Sequence, residues 1–346
     1  MEILFGILII YLLISMIFRI STKFRKISFI LNTCILSIIT GSVYEKIGGG
    51  GDYDNYRNIF NTLSINNKPE KEFGFYYLNL IIKIFTDDFQ MAFLFYMFII
   101  NLFIILFIYK YSKNIEFSLL IYVIMGGYIT STNIMRQYIA ISIYIFSIKF
   151  LIEKKYLLYL FLSLIAVSFH TTAMIAIPIT IIVYIFSEKI SKRYLLFFVV
   201  INSIIVIEPI IRNLGIQLFY ESYENGIFSY GSNLLHYLVQ VSICAFYYLN
   251  LRIIKDNNDK LFINLASITS AFTLLSKNMV LYARFGEYFD TFNIIAITTV
   301  LSSINNKKEK RIFYYFVFLG LTIYYLLLTR KGFVFENTII DYFKVL

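Results

Sequence analysis

"FQMAFLFYMFIINLFIILFIY", residues 89–109, runs for 21 residues without a single charge. A helix needs roughly 20 mainly apolar residues to cross the hydrocarbon core of a bilayer, so this stretch reads as a membrane span. Comparable runs fall at 3–18, 27–43, 117–131, 134–151, 156–169, 172–186, 194–208, 233–250, 261–276, 286–304 and 311–328. None alternates polar and apolar residues as a transmembrane β-strand does. Composition agrees: 59% of the 346 residues are hydrophobic and 15% are charged, with a mean hydropathy of +0.73, far from the make-up of soluble domains. The expected fold class is an all-α polytopic membrane protein of about 12 transmembrane or partly re-entrant helices. No internal repeat, heptad or soluble segment divides it, so residues 1–346 read as one transmembrane domain.

The first run follows Met1-Glu2 with no basic leader and no small-residue cleavage site, and is expected to be a retained helix, not a signal peptide. Cys34 and Cys244 both lie inside apolar runs, where a free thiol behaves as a small hydrophobe. Two histidines in the whole chain give no basis for a histidine metal site.

Most of the 31 basic residues gather in the loops around 19–26, 110–113, 149–155, 189–193, 252–260 and 307–311. With the spans above, all of these loops share one side, which the positive-inside rule makes cytoplasmic; both termini are then extracytoplasmic. The net charge of +10 is thereby accounted for by topology, and no nucleic-acid partner is expected. The short runs 156–169 and 172–186 fit a shallow hairpin whose tip, "SFHTT", stays near the outer leaflet. The outer face receives 44–88, 209–232 and 329–346. Within 44–88, "EFGFYYLNLIIKIF" (72–85) has an apolar face broken by Asn79 and Lys83 and reads as a helix lying in the interface.

"IGGGGDYDNYRNIF" (47–60) is the most glycine-dense stretch. It is no Walker loop, because Asp52 and Tyr53 stand where lysine and a hydroxyl belong, and Tyr53 takes the place of the third glycine of a dinucleotide fingerprint. An EF-hand fails at Tyr56 and Arg57. Two readings stay open: a linker capping a short helix that starts at Asp52 or Asp54, or a ligand-facing loop in which Tyr53 and Tyr56 offer planar rings to sugars.

Charges that interrupt apolar runs are the other candidates. Arg136 in "STNIMRQYIAISIYIF", beside Gln137, and Arg284 in "LYARFGEYF", beside Glu287 and Tyr288, lie toward the outer side. A charge inside a span is costly and is ordinarily paired or set toward a cavity, and a guanidinium fork matches phosphate oxygens; snorkelling to lipid headgroups is the alternative. His170 in "AVSFHTTAMIAIPI" is either a functional imidazole or a hydrogen-bonded residue closing a helix break. His236 has less polar company and reads as packing.

Taken in order, "GDYDNY" (51–56), "EFGFYYL" (72–78), "NIMRQYIAISI" (133–143), "KKYLLYLFLSLIAVSFHTTAMIAIPI" (154–179) and "RFGEYF" (284–289) resemble the EpsG family of bacterial exopolysaccharide proteins, relatives of the Wzy-type polysaccharide polymerases. Phe73 replaces a proline frequent in that family, and "DYF" (341–343) replaces its proline-tyrosine. The resemblance implies a glycosyltransferase-C-like helical bundle in the bacterial cytoplasmic membrane. It also implies polymerisation, on the outer face, of oligosaccharide repeat units carried on polyprenyl diphosphate, with no cofactor. A chain-length regulator and a flippase are the implied protein partners, and membrane lipids the surroundings. In such a reaction Arg136 and Arg284 would stabilise the departing diphosphate, and His170 would be the general base, with Asp52 or Glu72 as alternatives. Tyr53, Asp54, Tyr56, Glu72, Gln137 and Tyr288 would bind substrate. No metal is expected, Asp52 with Asp54 being the one weak alternative. A flippase of lipid-linked sugars, or a ligase or acyltransferase acting on the same polymer, shares the topology; a transporter would be expected to show the internal repeats that are missing.

Overall fold

The computed structural model describes residues 25–42, 52–64, 69, 71–209 and 234–329. The first run, the glycines 48–51, and most of 209–232 and 329–346 lie outside the described residues. Every expected run within them is helical, and no strand occurs among them. The described residues gather into two compact units, those up to 170 with those from 318 onward, and those within 171–317.

The first unit holds α1 (Arg25–Gly41), α2 (Asp52–Asn61), α3 (Phe73–Lys83), α4 (Phe89–Tyr111), α5 (Ile115–Ile124), α6 (Gly127–Asn133), α7 (Met135–Ile152) and α8 (Tyr156–Phe169). Its centre is α4, packed between α1 and α7, with α8 along α7. Asp88 caps α4 by accepting the Gln90 N–H at 2.8 Å. The buried face of α4 runs through Phe89, Phe93, Tyr96, Ile100, Ile104 and Phe107, helical spacing with one stripe inward, while Met91 and Phe95 remain exposed.

In lipid, apolar contact alone gives helices little reason to pair, so buried polar side chains serve as register marks. Asn101 of α4 donates to Thr40 Oγ1 of α1 at 3.3 Å and to its own Met97 carbonyl at 2.8 Å, and accepts from the Tyr122 hydroxyl of α5 at 3.2 Å. Lower down, Asn32 Nδ2 donates to the Tyr109 hydroxyl at 2.6 Å. The expected span 117–131 is two helices, α5 and α6, bent by 49°. The bend falls where Gly126 adopts φ 92°, a left-handed backbone that a side chain would disfavour.

The second unit holds α9 (Ala173–Lys192), α10 (Tyr194–Asn202, continued by a 3-10 turn, Ser203–Ile207), α11 (Leu234–Asn250), α12 (Asn257–Leu275), α13 (Val280–Asp290) and α14 (Asn293–Ser303). Helix α15 (Lys307–Thr329) is divided between the units at Phe318. Around α12 pack α9, α10, α11, α13 and α14. That centrality follows from its small polar residues, whose hydroxyls bond back to their own helix: Ser267 to Ile263 O at 2.8 Å and Thr273 to Thr269 O at 2.7 Å. Backbones then approach closely with no hydroxyl left exposed to lipid.

Among the described residues, five helices are long and apolar enough to cross a membrane: Phe89–Tyr111, Met135–Ile152, Ala173–Lys192, Leu234–Ile253 and Lys307–Leu327; the bent α5–α6 pair makes a sixth if it is one span. The two runs read as a shallow hairpin differ from each other. Helix α8 is 14 residues, about 21 Å at 1.5 Å per residue, whereas α9 continues past 186 to Lys192, its last turn closed by a 2.7 Å Lys192–Glu188 pair. Asn79, read from the sequence as a break in an apolar face, is buried, and its Oδ1 accepts from the Tyr96 hydroxyl.

Replacing Asn101 by leucine removes the link among α1, α4 and α5 and is expected to cost about 0.6–1.7 kcal/mol, read as a lower unfolding midpoint in detergent. Tyr122→Phe added to that variant should cost less than Tyr122→Phe alone, because its acceptor is already gone.

Candidate active site

Glu72 stands at the N-terminus of α3 with φ 59° and ψ 37°, a left-handed conformation that costs a side-chain-bearing residue about 1–2 kcal/mol. Held strain of this kind points to a local role, because the surrounding structure must enforce it. The turn aims the carboxylate inward, and the side chain is only 8% exposed. Its Oε2 accepts from Arg136 Nη1 at 2.8 Å, and its Oε1 lies 4.0 Å from His170 Nε2. One carboxylate thus faces both candidate groups that the sequence places 34 residues apart.

Arg136 is the second residue of α7, and its guanidinium lies 5.6 Å from the Tyr56 ring centre and 5.8 Å from that of Phe75. Those rings meet edge to face at 5.9 Å. A guanidinium is held well by this surrounding, since its flat faces suit aromatic quadrupoles and its edges remain available for oxygen acceptors. With a third of the Arg136 side chain exposed, the cation reaches a cavity of about 270 Å³. Glu72, Phe75, Tyr76 and Lys71 share its lining, along with Ile59 and Thr62 of the α2 end. The Tyr76 hydroxyl donates to Ser64 O at 3.1 Å and so holds the strand of chain after α2 over that space.

His170 closes α8: its N–H bonds the Ala166 carbonyl at 3.1 Å while its backbone turns extended, with φ −153°. Gly74 lets α3 reach this helix end. A Cβ on Gly74 would stand 2.4 Å from Ser168 Oγ and 2.9 Å from the Ser168 carbonyl oxygen, closer than real contacts allow. The reason for this glycine is therefore proximity, and the only signal of it in the sequence is its place within "EFGF".

Helix α2 begins at Asp52, which puts Asp52 and Asp54 in its first turn, where carboxylates favour a helix N-terminus. Asp54 pairs with Arg57 at 2.8 Å on the exposed side. Tyr53 turns the other way, packed edge-on to Phe89 and Phe93 at 5.1 Å, and its hydroxyl donates to Gln90 Oε1 at 2.5 Å. Burial pushes the Tyr53 hydroxyl up to about 12, so at neutral pH it remains a protonated donor. Gln90 in turn donates to the Gly41 carbonyl at 2.6 Å, tying α2 to the end of α1 through α4. Gln90 and Phe75 are the positioning residues that sequence reasoning does not single out. Gln137, next to Arg136, is 1% exposed.

Arg284 and Tyr288 lie one turn apart on α13 in the second unit. Arg284 is half-buried; Tyr288 is fully buried, with its hydroxyl 3.2 Å from Thr172 Oγ1. Among the described residues no three of histidine, cysteine, aspartate and glutamate gather in a group able to hold a metal ion.

Exchanging Gly74 for alanine is expected to push α3 off α8 and to lower stability by about 1–3 kcal/mol, the range for overpacking a close contact. Thermal unfolding in detergent checks this against Gly320→Ala, where a Cβ meets nothing within 4 Å and no loss is expected.

Among known proteins, the model of the EpsG family matches residues 28–343 of this chain. No curated protein and no solved structure matches it.

Proposed function

This chain belongs to the EpsG family, and from that premise we propose that it is a polysaccharide polymerase that joins polyprenyl-diphosphate-linked oligosaccharide repeat units on the outer face of the cytoplasmic membrane. Polymerase-type glycosyl transfer in polysaccharide synthesis is what the family implies. The observation that carries the finer reading is the Glu72 carboxylate joining Arg136, at 2.8 Å, to His170, at 4.0 Å, beside a cavity.

In this reading the growing chain leaves its lipid diphosphate and passes to a hydroxyl of the incoming repeat unit. The bond from the sugar's anomeric carbon to the phosphate oxygen breaks, its electron pair staying on the diphosphate, while the acceptor oxygen bonds that carbon. His170 accepts the hydroxyl proton, and the Glu72 carboxylate across from it stabilises the imidazolium that forms. Arg136 takes the charge that develops on the leaving diphosphate. Its rings and Glu72 hold it in place before the reaction, so little reorganisation is needed as charge builds.

Tyr56 and Tyr53 then act on the protein side: Tyr56 by flanking the guanidinium, Tyr53 by seating α2. Asp52 and Asp54 are proposed to meet the sugars, and the buried Gln137 to sit behind Arg136. Arg284 is proposed separately, as a phosphate-binding cation of the second unit, with Tyr288 beside it. The outward orientation rests on the distribution of basic loops.

The test separates lipid-linked glycans by size and by side of the membrane in cells carrying wild type, Arg136→Ala, Arg136→Lys, His170→Ala or Glu72→Gln. Arg136→Ala is expected to lower polymerisation by about 10²–10³, the usual loss on removing one charge-stabilising donor. Long chains should vanish while single repeat units collect outside, and lysine should restore only part of the activity because it lacks the fork. Units trapped inside would point to flipping instead. Full-length polymer in both Arg136→Ala and His170→Ala would remove these residues from the site.

A further inference from the structure

The second unit contains a larger cavity, of about 810 Å³, on the side that the basic loops mark as cytoplasmic. It forms where the end of α9, the start of α10, the end of α11 and the first turn of α12 converge. Lys192, Arg193, Arg252 and Lys260 line it against a single acid, Glu188. Glu188 is already engaged by Lys192 at 2.7 Å. Neither Arg193 nor Arg252 has an acidic partner among the described residues.

Cations brought from separate helices to one cavity repel one another, and a bound anion relieves that repulsion. Basic loops facing the cytoplasm explain why the charges exist; they do not explain why four of them border one space. The walls narrow the choice of anion. Tyr194 and Tyr248 stack at 6.4 Å, and Leu195, Leu196 and Leu249 stand at the cavity 56%, 56% and 76% exposed. A free inorganic ion has no use for such apolar surface, whereas an acyl chain does. Two guanidinium forks suit the oxygens of a phosphate, and basic pockets between helices at this membrane depth are suited to anionic headgroups.

We propose that this cavity binds the phosphate of an anionic phospholipid of the inner leaflet. Arg193 and Arg252 grip the headgroup, Lys260 adds charge, and the leucines lie along the chain. The site is independent of the Glu72–Arg136–His170 cluster, which belongs to the first unit.

The experiment places the full chain in nanodiscs of zwitterionic lipid and titrates in fluorescent phosphatidylglycerol. Saturable binding is expected for wild type. The double variant Arg193→Gln/Arg252→Gln should bind at least about tenfold more weakly, the loss of one or more charged hydrogen bonds. Arg193→Lys/Arg252→Lys, which keeps the charge without the forks, should fall between and serves if the glutamine pair does not fold. Lys189→Gln, an exposed cation outside the cavity lining, should bind as wild type does. Equal binding by the double glutamine variant, or an equal loss in Lys189→Gln, would overturn the proposal. Competition by inorganic phosphate as strong as that by unlabelled phosphatidylglycerol would assign the cavity to a free anion and reject the lipid.

Discussion

The ion pair between Glu72 and Arg136 is the constraint on which one end of the first unit depends. A cation at the mouth of an apolar bundle is costly to insert, and the cost is met by a carboxylate on one side and aromatic faces on the others. To supply that carboxylate, the chain turns through a left-handed residue, and to bring the turn near, α3 needs a glycine against Ser168. The position of α3, the contact with α8 and the nearness of His170 follow together. A pair so enclosed contributes modestly to net stability, because desolvation offsets most of its attraction. What it fixes is geometry.

The two units solve the same problem with the same two devices, amide marks and hydroxyls bonded back to their own helix. In the first, Asn101, Asn32 and Asn79 mark helix register, each reaching a tyrosine or threonine on another helix. In the second, hydroxyls turn back on their own backbone and keep the interhelical surface thin, while Asn264 of α12 reaches the Ser187 carbonyl of α9 at 2.9 Å. Amide marks specify partners; small hydroxyl residues permit close approach.

The fold class was legible because the bilayer imposes it: charge-free runs of this length have one stable use, and every such run within the described residues is helical. Where a glycine or a polar break lies inside a run, as at Gly126 or between Asp290 and Asn293, hydropathy averages over it, and the expected single span is two helices. Arg136, His170 and Glu72 were legible one at a time, as ionisable groups in costly places. Their association was not. Arg136 and Glu72 are 64 residues apart, and nothing in a linear pattern says which carboxylate an arginine meets. Asp52 is the acid that the glycine-rich stretch puts forward first, yet Glu72 is the one that touches the cation, because backbone conformation at a single residue decides where its side chain points. Tyrosine shows the same limit: Tyr53 and Tyr56 look alike in sequence, but one seats a helix and the other flanks a guanidinium.

The two groups of cations differ in a way that bears on their use. Arg136 is two-thirds covered and paired in advance with Glu72, so any anion that engages it must share it with a carboxylate. Such sharing weakens ground-state binding of a phosphate more than it weakens interaction with the extra charge of a departing diphosphate, which is the bias a transfer reaction needs. Arg193 and Arg252 are exposed and have no acid to share among the described residues, an arrangement that favours steady occupancy by a resident anion. In the proposed reading, pairing with an acid suits Arg136 to turnover, and the absence of an acidic partner for Arg193 and Arg252 among the described residues suits them to holding a lipid.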